Sequence, residues 1–351
     1  MYHNTNLTNR YLGLIGSGNY VKVRIFTYLE QRQHTQTLKT TQMVHNGIEY
    51  GDMQLIAEAY EILKHAGLGN LDLSKLFDEW NKTELSSFLI EITAKILAKR
   101  DEDVIDWSDS STLPKGEGFL VDKILDKTGN KGTGKMTVRE GALQGVACPT
   151  ISAALDARFI AFDKDARVAA EPILKKGAPS SWPDVNRQDL IRDVKDALYA
   201  AKICSYAQGM NLIRAASESN GWNVNLGECA RIWKGGCIIR AKFLDLITKA
   251  YERNPKLSSL LVDDFFAGEI IKRQMAWRRV VTLGIATGIA VPALSASLGY
   301  FDQYRRARLP ANLVQAQRDF FGSHTFERTD KPRGQAYHCI WTDAHKIDTG
   351  H

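Results

Sequence analysis

Apolar positions along this chain recur at helical spacing. Within residues 190–212, Leu190, Val194, Leu198, Ala201, Cys204 and Ala207 follow at steps of four, four, three, three and three, a stripe of about five turns. Gly221 is placed to end that helix. Residues 43–65 carry a second long helical pattern with Gly67 just beyond it, and 84–100 and 237–252 give two more. Residues 120–127 also read as helix. Alternating strand patterns are scarce, and there is no run of strand–helix units, so the expected class is all-α. Loops are expected at 101–118 and at the Gly-, Pro- and Ser-rich 175–183. The polar end, 342–351, reads as untethered.

One uncharged stretch, 280–300, is long enough to suggest a membrane span. Gly284, Gly288, Pro292, Ser295, Ser297 and Gly299 interrupt it, and a buried helix followed by a turn at Pro292 is the better reading.

The 43–65 helix has an unusual face. Counting from one residue before it, Gln42, His45, Asn46, Glu49 and Tyr50 fall at i, i+3, i+4, i+7 and i+8, on one side. Met43, Val44, Ile48, Met53, Leu55 and Ile56 cover much of the rest. A helix that is apolar on its other faces is buried, and a buried polar stripe must find partners or line a cavity. By composition alone a solvated face is the commoner explanation. The mixture of His, Asn, Glu and Tyr is richer in chemistry than the usual Lys/Glu surface.

Composition narrows the field modestly. The 351 residues are 44% hydrophobic and 25% charged, as in an ordinary globular protein. The net charge of +6 is spread along the chain without a long basic run; it suits an anionic small molecule and argues against a nucleic-acid partner. Five cysteines, an odd number with no CxxC pair, point to a reduced, cytoplasmic protein. The start of the chain lacks an apolar signal segment. His338, Cys339 and His345 lack a fourth spaced ligand, so no metal is expected.

Two glycine-rich segments look like nucleotide motifs. GNKGTGKM, 129–136, contains GxxxxGK, completed by Lys135, but Met136 stands where Ser or Thr must hold magnesium; it fits an anion cradle better than a P-loop. LGLIGSG opens like a dinucleotide turn, yet Val21 occupies the third glycine position and no acidic ribose ligand follows.

MVHNGIEYGDMQLIAEAY, beginning at Met43, resembles the start of the C-terminal domain of 6-phosphogluconate dehydrogenase. The resemblance continues through EWNKTELSSFLIEIT, LVDKILDKTGNKGTGKMT, SYAQGMNLIRAA, IWKGGCIIRAKFL and LPANLVQAQRDFFGSHTFER, and covers 43–341 with few gaps. It implies an all-α substrate and dimerisation domain at 43–328 with a tail at 329–351. It also implies NADP-dependent oxidation of 6-phosphogluconate, decarboxylation to ribulose 5-phosphate and protonation of the enediol. Glu49 matches the general acid of the family, and His45, Asn46 and Tyr50 match substrate contacts. Lys131, Thr133 and Arg158 match substrate-phosphate contacts, although the flanks of Arg158 diverge. Arg318 and His324 match residues that reach the partner's site in a homodimer. Arg167 has a family counterpart but receives no substrate role.

The general base is displaced. The family lysine directly precedes this string, where this chain has Gln42, whose side chain does not titrate. GSGNYVK stands instead at 16–22, so the expected lysine is Lys22, separated from Met43 by an insertion at 23–42. The insertion opens with Val-Arg and closes with Gln, as a retained intron running from GT to AG would. It is expected to loop out and let Lys22 return towards Glu49. The 1–42 segment is expected to be a linker remnant, with the cofactor domain missing and the chain inactive alone. The alternative expectation is a non-catalytic helical homologue that dimerises or binds sugar phosphate.

Overall fold

The computed structural model describes residues 31–129, 132–176 and 182–341. Twelve α-helices account for most of them, and among the described residues β-pairing is confined to four isolated bridges. The all-α expectation holds.

The first helix, α1, spans Gln31–His65. It therefore begins twelve residues before Met43. The segment 31–42, expected to loop out, continues the helix instead, since TQTLKTTQ holds neither Gly nor Pro to break it. Helices α2 (Asn70–Trp80) and α3 (Phe88–Ala98) follow. The latter starts later than the pattern suggested, because Ser87 caps it by accepting from the Ile90 amide at 3.2 Å. The 101–118 segment is a loop as expected. Residues 120–127 do not form an α-helix; a single 3-10 turn, Leu120–Lys123, stands there.

Beyond it come α4 (Thr133–Leu143), α5 (Pro149–Phe162) and α6 (Lys164–Leu174). The long helix α7 spans Arg187–Asn220 and ends at Gly221, whose φ is +65°. It is buried on every side from Ala197 to Leu212, which makes it the axis of the core. Helix α1 crosses it where Gly209 leaves room for Ile48 and Val44, so the two backbones approach closely.

Helices α8 (Leu226–Trp233) and α9 (Leu244–Arg253) come next. The expected helix at 237–252 begins only at Leu244. Residues before it are diverted into backbone pairing with the turn ahead of α3, through Phe88 N to Arg240 O and Lys242 N to Ser86 O, at 2.9 and 2.8 Å. Helix α10 (Asp264–Thr287) stops at Gly288, and α11 (Pro292–Tyr304) restarts at Pro292. The uncharged 280–300 stretch is thus two helix pieces joined by a turn, and no described helix is long and apolar enough to cross a membrane.

The chain divides into two compact units, one ending at Tyr300 and one beginning at Phe301. Taken by itself, the second contains α12 (Ala311–Gly322) and a tail folded back through an antiparallel bridge between Phe326 and Tyr337. Asp319 ties it together. This buried carboxylate is hydrogen-bonded to His338 Nδ1 at 2.8 Å and accepts from the Cys339 amide at 3.1 Å, Trp341 Nε1 at 2.8 Å and the Thr325 amide at 2.9 Å. His338 is thereby a structural partner of Asp319.

Candidate active site

The polar stripe of α1 is buried for most of its length. His45 and Tyr50 are buried, while Asn46 and Glu49 are half-buried. The helix register puts them on one side, and the other faces are held by core contacts to α4, α5 and α7.

His45 Nδ1 lies 3.0 Å from Asn46 Oδ1, a contact that places the ring proton on Nδ1 and leaves the lone pair on Nε2. The ring meets Trp233 of α8 edge-on at 5.7 Å. His45 Nε2 is buried and meets no partner among the described residues. Burial pushes the His45 pKa down, against the smaller opposing effect of Asn46, so the ring is held neutral. A cavity of about 120 Å³ opens beside it, walled by Thr41, Gln42 and His45 of α1 with Cys229, Trp233 and Cys237.

Glu49 sits one turn further on. Burial raises its pKa; Arg158 opposes this and Asp52 adds to it. A half-buried carboxyl disposed to keep its proton is suited to act as an acid.

Tyr50 closes the other end. The Arg158 guanidinium lies over its ring, 3.5 Å from the centroid, and Arg158 Nη2 reaches Met53 Sδ at 3.3 Å. Helix α4 packs against the same ring at Gly134, where a Cβ would come within 2.5 Å of Tyr50. Thr137 anchors α4 by donating from Oγ1 to the Met43 carbonyl at 2.7 Å. Thr133 is the first residue of α4, so the unpaired amides of that helix start stand beside it. Thr128 Oγ1 reaches the Arg158 carbonyl at 3.3 Å, which draws the preceding loop to the same place.

The structure therefore gathers His45, Asn46, Glu49, Tyr50, Thr133 and Arg158 around one face of α1. Lys22 and Lys131 lie outside the described residues. Gln42 occupies the helix three residues before His45, in the register the resemblance gives to a lysine. Arg318 and His324 belong to the second unit and are both exposed; Arg318 donates to Gln315 Oε1 at 3.1 Å. Arg167 is consumed by structure: it holds the Asp126 carboxylate at 2.9 Å and the carbonyls of Asp126, Ile160 and Ala161.

The sequence reading passed over Asp52 and Lys202, a buried ion pair of α1 and α7 at 2.6 Å. Its signal was an acidic residue among Ile48, Leu55 and Ile56, on a face that should have been apolar.

The family model described as 6-phosphogluconate dehydrogenase, C-terminal domain, matches residues 39–341. The Arabidopsis thaliana chloroplastic decarboxylating 6-phosphogluconate dehydrogenase 3 is 56% identical over 338 residues, 95% of this chain and 62% of that protein. The decarboxylating 6-phosphogluconate dehydrogenase of Synechocystis is 52% identical over 335 residues, with the same coverage of 95% and 62%. A solved structure of the Plasmodium falciparum 6-phosphogluconate dehydrogenase superposes with a TM-score of 0.78 at 48% identity, covering 86% of this chain and 62% of that one. That enzyme is described in its apo form, with its cofactor NADP+ and with its substrate 6-phosphogluconate. The chain thus spans 62% of the length of these relatives.

Proposed function

We propose, because this chain belongs to the 6-phosphogluconate dehydrogenase family, that the face of α1 binds 6-phosphogluconate and supplies the acid for its oxidative decarboxylation. The observation that carries this reading is the convergence of Arg158 and the start of α4 on Tyr50, one residue from the half-buried Glu49, whose pKa burial raises. Arg158 and the amides at Thr133 form an anion site for the phosphate. His45 and Asn46, one turn away, present an acceptor nitrogen and an amide to sugar hydroxyls. Glu49 then donates a proton to the enediol left by loss of carbon dioxide, in a setting where burial favours its acid form.

The hydride acceptor of the family is NADP. The described residues contain no strand–turn–helix cradle for its pyrophosphate, and none of them is assigned to it. The partners of the site are completed in our reading by a homodimer, with Arg318 and His324 given to the neighbouring subunit's substrate. Sedimentation of the purified chain tests this: a dimer is expected, and a monomer at all concentrations would remove that role.

Calorimetry with 6-phosphogluconate tests the site itself. Binding is expected, weakened on the order of tenfold or more in Arg158→Ala. Wild-type protein that takes up no sugar phosphate would defeat the reading. One observation favours a second reading, a homologue that binds without turnover: the base position in α1 is Gln42, which cannot accept a proton near neutral pH. Binding without NADP-dependent turnover would support that alternative.

A further inference from the structure

The helix that carries the stripe presents one more carboxylate beneath it. Asp52 follows Glu49 by three residues, almost a full turn, so the two leave α1 on neighbouring sides. Asp52 Oδ2 is held by Lys202 Nζ of α7 at 2.6 Å, and both side chains are at most 2% exposed. Asp52 Oδ1 is also buried but meets no partner among the described residues, and neither does Ser205 Oγ, which lies against Gly51.

As packing, this arrangement is poor. A buried ion pair is often no more stabilising than apolar side chains of similar volume, and a buried carboxylate oxygen left without a partner has lost its hydration without replacement. Burial pushes the Asp52 pKa up, and the Lys202 ammonium opposes this; the pair thereby sets a carboxylate, compensated on one side only, one turn from Glu49 in surroundings of low polarity.

Among the described residues, the charged groups that act on Glu49 are Arg158 and Asp52. Arg158 reaches it from α5 and favours its carboxylate, while Asp52 on its own helix favours the acid. Lys202 of α7 faces Asp52. Helix α4 meets α1 through Gly134 and Thr137, and α8 does so through Trp233 against the neutral His45. Burial is the largest effect raising the Glu49 pKa, Arg158 opposes it, and Asp52 is the charged group that adds to burial against Arg158.

We propose that Asp52, clamped by Lys202, is a positioning residue for Glu49: its buried charge opposes Arg158 and keeps the proton of Glu49 available for transfer. This rests on the reading of Glu49 as the acid. It also explains why a costly pair stands where apolar residues would pack.

The test is an NMR titration of the Glu49 carboxyl in the full chain. In Asp52→Asn, the Glu49 midpoint is expected to fall by about half a pH unit or more relative to wild type. The double variant Asp52→Leu with Lys202→Met removes both charges and retains an apolar core if the single variant misfolds; a fall in the same direction but smaller is expected, because the Lys202 cation is lost with the Asp52 anion. A purely structural role would lower the melting temperature and leave the midpoint in place. An unchanged midpoint in the folded variants overturns the proposal. Calorimetry on the wild type separates the two ideas: a midpoint that moves in a chain that binds no 6-phosphogluconate sinks the functional reading and leaves the Asp52 coupling standing.

Discussion

Arg158 shows how much one side chain is asked to do. It stacks on Tyr50, the ring that α4 also packs against, and it opposes the proton on Glu49. Lysine can replace the charge but not the planar stack or the bidentate grip. Arg158→Lys is therefore expected to recover part of the sugar-phosphate affinity lost in Arg158→Ala, and full recovery by calorimetry would show that charge alone matters. Glu49→Gln keeps the shape and removes the proton; binding is expected to stay within about threefold while any turnover falls by on the order of 10²-fold or more. Equal turnover in the two proteins would remove Glu49 from the acid role. These residues were legible in the sequence because four of them share one helix face. Their contact with Arg158, more than a hundred positions away in the chain, was supplied by the family resemblance, since no local pattern encodes it.

The element that matters most is α1. Its continuity from Gln31 to Glu49 puts those residues about 27 Å apart along the axis, so the twelve residues before Met43 carry the chain away from the site. A deletion of 23–42 rejoins GSGNYVK to MVHNGIEY and returns a lysine to the turn before His45. That variant is expected to fold and to bind 6-phosphogluconate, checked by circular dichroism and calorimetry; loss of fold would show that the extension supports the core. Helix packing gives a second prediction. Gly134→Ala places a methyl group within 2.5 Å of the Tyr50 ring, with Thr137 anchoring the helix nearby. The expected cost is about 1–3 kcal/mol in urea unfolding, with weaker substrate binding because Tyr50 or α4 must shift. No measurable change would mean that this contact is looser than the structure shows.

Across the whole molecule, buried charge sets the response to pH. Glu58 of α1 accepts from the amides of Ala293 and Leu294 at 2.8 and 2.9 Å and so caps the start of α11. Burial outweighs those bonds and raises its pKa from 4.5 to about 7. The folded chain therefore binds more protons than the unfolded one between these values. The resulting stability is fully present below about 4.5 and is lost as pH rises through about 7, by up to ~3 kcal/mol. Glu58→Gln is expected to flatten that part of the stability–pH curve in denaturant titrations, and an unaltered slope would assign it to other groups. Asp319 has the opposite sense. The fold holds its pKa near 2, below 3.8, through hydrogen bonds from the tail that outweigh its burial. The stability it gives the second unit is present above 3.8 and is lost as pH falls through about 2.

The sequence by itself determined the class of the fold, the registers of the long helices and the polar face His45–Asn46–Glu49–Tyr50, because helical periodicity is local and repeats along the chain. It misplaced the starts of α3 and α9, where a serine cap and a backbone pairing between distant segments decide the boundary. It also expected a loop at 31–42, where the chain remains helical. Only the tertiary structure decided that Arg158 lies on Tyr50, that His45 Nε2 is buried without a partner among the described residues, and that Asp52 and Lys202 share a buried bond across 150 positions. Such contacts follow from how α1, α5 and α7 cross, and a crossing is settled by the packing of all their faces together.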